Sequence, residues 1–191
     1  YVWADALLAY LTGIGYGDEN REGEFEARWP MQYHFVGKDI TRFHCVIWPA
    51  MLMAAGLPIT HTVFGHGFLL VKGEKMSKSK GNGVKPEDLV KVFGVDAYRY
   101  YFLSDVQFGH DGSISLERMV QVYNADLANT WGNLCSRVFN MTKKYFKGEV
   151  PSAPEGAQNN PLKEIADTLY TEYDACMSDV DFTGAAAAVQ K

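Results

Sequence analysis

Lys75-Met76-Ser77-Lys78-Ser79-Lys80-Gly81-Asn82 gathers three lysines and two serines into one short stretch, with Gly73 before it and Gly83 after it. Such a stretch is cationic, rich in hydrogen-bond donors and conformationally free, which suits a polyphosphate guest. Taken alone, a basic run of this length also fits a solvated loop or a localisation signal. Its neighbours decide the fold. The apolar run Gly67-Phe68-Leu69-Leu70-Val71 leads into it as strand material, and Pro86 opens a helix to Phe93 beyond it. A ligand in a parallel α/β sheet sits beyond the carboxyl ends of the strands, and the lysine loop leaves such an end.

Working outward, Tyr1-Val2-Trp3 reads as a strand end running into a helix through about Thr12, which Gly13, Gly15 and Gly17 stop. Residues 18–30 read as a polar, acidic loop, and Tyr33-His34-Phe35-Val36-Gly37 as a short strand. From Lys38 to about Ala55 the apolar positions repeat every three or four residues, as in a helix. Pro49 cannot donate to the carbonyl of Cys45, so a kink or restart is expected after Trp48. Thr62-Val63-Phe64 is a further strand, and Val95 to about Leu103 a further helix. Strand and helix alternate as in a parallel α/β domain.

After the turn cluster Phe108-Gly109-His110-Asp111-Gly112 the pattern becomes helical throughout. Leu116 to Phe146 reads as one helix whose residues Leu127, Trp131, Leu134, Val138, Met141 and Tyr145 form an apolar stripe, expected to be core. Residues 148–161 are a loop rich in Gly, Pro and Asn. Asn160 and Pro161 then start a helix whose second apolar face is Leu162, Ile165, Leu169, Tyr173 and Met177. The best division of the chain lies near residue 108, and the second part reads as the start of a helix bundle.

With 47% hydrophobic and 21% charged residues over 191 positions, the chain has the composition of a soluble globular protein, read as intracellular. No apolar run reaches the ~18 residues of a membrane span. A net charge of −5 argues against a broad basic surface for nucleic acid and leaves room for a local patch. Cys45, Cys135 and Cys176 have neither disulfide nor zinc-ligand spacing, and are expected as buried thiols. The chain starts on Tyr inside an apolar segment and stops on helix-forming residues, so it reads as an interior fragment.

Lys75-Met76-Ser77-Lys78-Ser79 reproduces the KMSKS signature of class I aminoacyl-tRNA synthetases. Isoleucine, leucine, valine and cysteine enzymes stay open on that motif alone. Phe35-Val36-Gly37-Lys38-Asp39-Ile40, then Phe43-His44, Trp48-Pro49-Ala50-Met51-Leu52, and Tyr1-Val2-Trp3 with Asp5-Ala6, resemble the methionyl-tRNA synthetases over nearly the whole chain. That resemblance implies an α/β fold, with residues 1–107 the C-terminal half of a Rossmann-like catalytic domain carrying the loop at 75–79. Residues 108–191 would be a connecting turn and the first helices of an anticodon-binding bundle.

The resemblance also implies roles. Trp3, Ala6, Leu7, Tyr10, His44 and Trp48 would line the methionine side chain, with Leu7 standing where the family's pattern has proline. Gly37, Asp39 and the backbone of Leu69 would hold ribose and adenine, and Ser77, Lys78 and Ser79 the ATP phosphates, with Lys75 and Lys78 catalytic. Asn133 and Arg137 would read anticodon bases, unstacked loop bases being what such side chains can hydrogen-bond. The implied partners are ATP with Mg²⁺, L-methionine and tRNA(Met), in the cytoplasm, with no membrane and no DNA. The family's zinc region and its HIGH motif are expected outside this chain, and the fragment alone is expected to be inactive.

The chemistry fits. A methionine carboxylate is already ionised at neutral pH, so attack on the α-phosphorus of ATP needs no general base, only cations and donors aimed at the growing phosphate charge. Two other readings remain at this level: an RNA-binding module, which would need no lysine loop, and a nucleotidyltransferase, which would need no bundle. In a full-length enzyme, Lys78→Ala should slow adenylate formation roughly 10²- to 10³-fold, with methionine affinity little changed. A rate within about threefold of wild type in pyrophosphate exchange would remove the loop from the phosphate site.

Overall fold

The computed structural model describes residues 2–21, 23–71, 73–76, 83–157 and 160–191. These fall into two compact units, residues 1–68 and 69–191, so the division read near residue 108 lies inside the second unit.

In the first unit α1 (Val2–Thr12) leads to a short helix α2 (Glu24–Arg28), strand β1 (Tyr33–Gly37), helix α3 (Trp48–Ala54) and strand β2 (Thr62–His66). The expected strand end at Val2-Trp3 is helical instead. A β-branched and an aromatic residue have only a weak strand preference, and six helix-forming residues follow them. Residues 18–30 are likewise not all loop, since they hold a 3₁₀ turn (Glu19–Arg21) and α2.

Helix α1 buries Leu7 and Leu11, one turn apart, against Trp29, Trp48 and Leu52. Its last carbonyls are capped by Arg21, whose guanidinium donates to Thr12 O and Gly13 O and pairs with Glu24 at 2.8 Å. That side chain ties the glycine turn back onto the helix end, where a cation is favoured.

Strands β1 and β2 pair in parallel, Tyr33 opposite Thr62 through Gly37 opposite His66. Along β1 the burial alternates, so His34 and Val36 face inward. Between the strands the expected single helix is three pieces: a 3₁₀ turn at Lys38–Ile40, a π turn at Phe43–Ile47 and α3. Trp48 N–H bonds to Phe43 O, five residues back, so the helix widens by one residue just ahead of Pro49. A proline there has no N–H for the ordinary register and its ring crowds the carbonyl four back, and the wider turn relieves both.

The second unit has a three-stranded sheet in the order β4 (Glu74–Lys75), β3 (Leu69–Val71), β5 (Gly112–Ile114). β3 runs parallel to β5 and antiparallel to β4, with Gly73 at φ +78° in the turn. Parallel pairing is therefore present in both units, but the sheet of the second is mixed. Helices α4 (Pro86–Phe93) and α5 (Val95–Ser104) follow, and Leu89, Tyr101, Ile114, Met119 and Val122 make the core.

The long helix is continuous from Leu116 to Phe146 but has three parts: α6 (Leu116–Val122), a ten-residue π segment (Tyr123–Gly132) and α7 (Asn133–Phe146). Tyr100 OH holds the π segment by donating to Asp126 at 2.9 Å. α8 (Pro161–Ser178) starts as expected, with Asn160 accepting from Leu162 N–H. α9 (Phe182–Val189) packs between α8 and α5.

The stripe expected as core is not. Trp131, Leu134, Val138, Met141 and Tyr145 are 40% to 63% exposed, because α8 lies against α9 and leaves that face uncovered. Ile165 and Leu162 on α8 are exposed for the same reason. The cysteines depart from expectation too: Cys45 is exposed, and Cys135 and Cys176 are half-buried. No helix among the described residues is long and apolar enough to cross a membrane.

One close approach sets the spacing of β2 and the turn that follows β1. A Cβ added at Gly65 would lie 2.6 Å from Thr41 Cγ2. Gly65→Ala should cost about 1–3 kcal/mol through overpacking. Thr41→Ser removes that methyl and keeps the hydroxyl that donates to Lys38 O, so the double variant should recover most of the loss. Equal urea midpoints for Gly65→Ala with and without Thr41→Ser would contradict this packing.

Candidate active site

In the first unit the residues nominated for the amino-acid side chain separate into a closed aromatic group and an outer pair. Tyr10 comes from α1, while His44 and Trp48 come from the two sides of the π turn, four residues apart and each 1% exposed. Ile40 O can only accept, and it lies 2.9 Å from His44 Nδ1, so Nδ1 carries the imidazole proton. In the neutral ring Nε2 is then an acceptor, and Tyr10 OH donates to it at 2.8 Å. The Tyr10 ring centroid is 5.8 Å from that of Trp48 and 5.6 Å from that of His44. Trp48 in turn meets Trp29 edge to face. Leu7 belongs to the core beneath them.

Trp3 and Ala6 lie outside this group. Trp3 stacks on Phe43, centroids 4.1 Å apart and planes within 14°, and Ala6 is exposed. Phe43 was not among the residues nominated from sequence, although it immediately precedes His44.

Gly37 and Asp39 close β1. Gly37 has an ordinary extended backbone, φ −62°, so its freedom is not the reason for glycine here. A Cβ at residue 37 would sit 2.7 Å from Asp39 Oδ1, so only glycine lets that carboxylate fold back over the strand end. Lys38 Nζ lies 4.9 Å from the Phe68 ring centroid, a cation–π approach.

In the second unit Leu69 opens β3 opposite Gly112, and its carbonyl accepts from Met76 N–H at 3.3 Å. Lys75 is an exposed residue of β4 opposite Leu70. Val84 N–H donates to Met76 Sδ at 3.4 Å, so the chain enters and leaves the lysine stretch at neighbouring points. Ser77, Lys78 and Ser79 lie outside the described residues. On α7 Arg137 Nε donates to Asn133 Oδ1 at 3.1 Å, and both side chains are on the exposed face. Among the described residues no three His, Cys, Asp or Glu side chains gather as a metal site would need.

Sequence reasoning overlooked His34. It is 4% exposed, its ring 4.6 Å from Tyr10 and 5.7 Å from His44, and its Nε2 is buried without a hydrogen-bond partner among the described residues. Its inward place on a strand was the available signal.

A parallel strand pair with helices before and between its strands is an α/β arrangement. The profile of the family described as "tRNA synthetases class I (M)" matches residues 1–139, and the chain belongs to that family. It is 47% identical to the methionine–tRNA ligase of Caldanaerobacter subterraneus subsp. tengcongensis, over 100% of this chain and 30% of that protein. To the methionine–tRNA ligase of Streptomyces coelicolor it is 50% identical, over 99% of this chain and 35% of the relative. The chain thus spans about a third of the length of these relatives. The structure of Mycobacterium tuberculosis methionyl-tRNA synthetase in complex with methionyl-adenylate superposes with a TM-score of 0.90 at 44% identity, covering 100% of this chain and 37% of that one.

Burial first, and the neighbouring His44 second, push the His34 pKa below the ordinary histidine value of 6.5. The unfolded chain then takes up a proton near that value while the folded chain does not. The stability contributed by neutral His34 is complete above about pH 6.5 and is lost as the pH falls from there toward the depressed value. His34→Phe should flatten this acid-side decline in urea unfolding, and an unchanged slope would show that His34 does not cause it.

Proposed function

We propose that the chain is part of a methionine–tRNA ligase, an enzyme that joins methionine to ATP as methionyl-adenylate, releases pyrophosphate, and passes the methionyl group to tRNA(Met) in the cytoplasm. The observation that carries this reading is the Tyr10–His44–Trp48 group, in a chain 44% identical to a synthetase solved with methionyl-adenylate. An aromatic lining suits a polarisable thioether, and sulfur beside a ring edge gains about 0.3–1.5 kcal/mol. On this reading the Tyr10, His44 and Trp48 rings would admit a flexible unbranched side chain and disfavour a β-branched one.

The remaining roles are assigned residue by residue. Trp3, Ala6 and Leu7 are assigned to the methionine side chain and Gly37 and Asp39 to ribose and adenine, while in the second unit the Leu69 backbone is assigned to the nucleotide. Lys75, Ser77, Lys78 and Ser79 take the phosphates of MgATP, whose metal enters with the nucleotide. Positive charge and donors placed there favour the transition state, in which phosphate charge shifts toward the leaving pyrophosphate, over the ground state. Residues 108–191 form the start of an anticodon-binding bundle. There the Asn133–Arg137 pair is supported as a reader by its exposure and by the amide already orienting the guanidinium.

The test is amino-acid-dependent exchange of pyrophosphate into ATP by the full-length enzyme that carries this chain. Methionine should give the strongest exchange among the twenty amino acids. Norleucine should be discriminated against only modestly, within the roughly 10- to 200-fold that one methylene-sized change provides. Preference for isoleucine, leucine, valine or cysteine would move the enzyme to another specificity in the class.

A further inference from the structure

We infer that His34 is a positioning residue for the Tyr10–His44 pair, and through it sets the affinity for the amino-acid side chain. This rests on the proposed methionine specificity. His34 holds an inward position on β1, opposite Val63 of β2, where a branched aliphatic residue would fit the strand and carry no polar atom. A histidine there instead buries an imidazole nitrogen without a conventional partner, a cost in stability that filling the strand position does not explain.

Its contacts define its role. The imidazole meets the Tyr10 ring at 4.6 Å and 61°, an edge-to-face approach, and the His44 ring at 5.7 Å and 60°. It therefore touches both partners of the 2.8 Å hydrogen bond from Tyr10 OH to His44 Nε2. His44 is fixed at its other nitrogen by Ile40 O, but Tyr10 is half-buried at the end of a rotatable side chain on a separate helix. His34 supplies the second wall that keeps the phenol aimed at Nε2. Loss of the wall leaves Tyr10 free to turn, and a misaimed ring no longer shapes the pocket. The depressed pKa of His34 agrees with a neutral ring filling this role.

Two substitutions in the full-length enzyme test this. His34→Val suits the strand but is too short to reach Tyr10, whereas His34→Phe keeps a ring of similar reach. His34→Val should raise the methionine KM about tenfold while kcat and the ATP KM stay within about threefold, and His34→Phe should restore the methionine KM to within about threefold. An independent readout is the ¹⁵N chemical shift of His44 Nε2, which reports whether that nitrogen accepts a hydrogen bond. In His34→Val it should move toward the value in Tyr10→Phe, and in His34→Phe it should stay near wild type. An unmoved Nε2 shift and unchanged methionine KM in His34→Val would overturn the inference, as would methionine and ATP KM rising together, which marks a general distortion of the site and not the loss of one wall beside Tyr10. If the wild-type enzyme does not prefer methionine, the specificity proposal fails, while the nitrogen shift still decides whether His34 positions Tyr10.

Discussion

The first unit depends on one relay of hydrogen bonds: Ile40 O accepts from His44 Nδ1, and His44 Nε2 accepts from Tyr10 OH. Tyr10 and His44 are 34 residues apart in sequence and come from α1 and from the π turn after β1. Both nitrogens of a histidine only 1% exposed are thereby satisfied, which a buried imidazole requires. The relay leaves Tyr10, His44 and Trp48 in one group. Trp48 joins that group to the Leu7, Leu11 and Leu52 core, so the aromatic group and the core share a wall.

Pro49 makes this geometry available. Without an N–H at residue 49 the ordinary helical register fails, the turn before it widens to a π turn, and His44 and Trp48 are both turned inward. Gly37 plays the corresponding part at the strand end, where the absent Cβ admits the Asp39 carboxylate. In each case a residue is selected for what it lacks. The second unit applies different means: a hairpin closed at Gly73 and a Met76–Val84 contact bring together the ends of the lysine stretch.

Local signals were legible in the sequence. β1 and α4 have the bounds expected from Gly37 and Pro86, and α8 starts at the Asn160-Pro161 signal, because each boundary is set by its own backbone chemistry. What depends on a distant partner was not. β5 is three residues without alternation and is a strand only through pairing with β3. Periodicity identified which residues of α7 share a face, but not whether another element covers it, so the stripe from Trp131 to Tyr145 was mistaken for core. Within the site, His44 and Trp48 were readable as neighbours on one turn. Arg21, Phe43 and His34 were not, since their roles rest on contacts with a helix end, an aromatic ring and a hydrogen-bonded pair that only folding assembles.

On the proposed reading, the Tyr10–His44 bond shapes a pocket for the amino-acid side chain. Tyr10→Phe keeps the ring and deletes only the donor, leaving His44 Nε2 buried with an unmet lone pair. Measured in the full-length enzyme by pyrophosphate exchange, this variant should show a methionine KM raised about tenfold with the ATP KM unchanged. A methionine KM equal to that of wild type would contradict the account, because the pocket would then stand without the bond on which it is argued to depend.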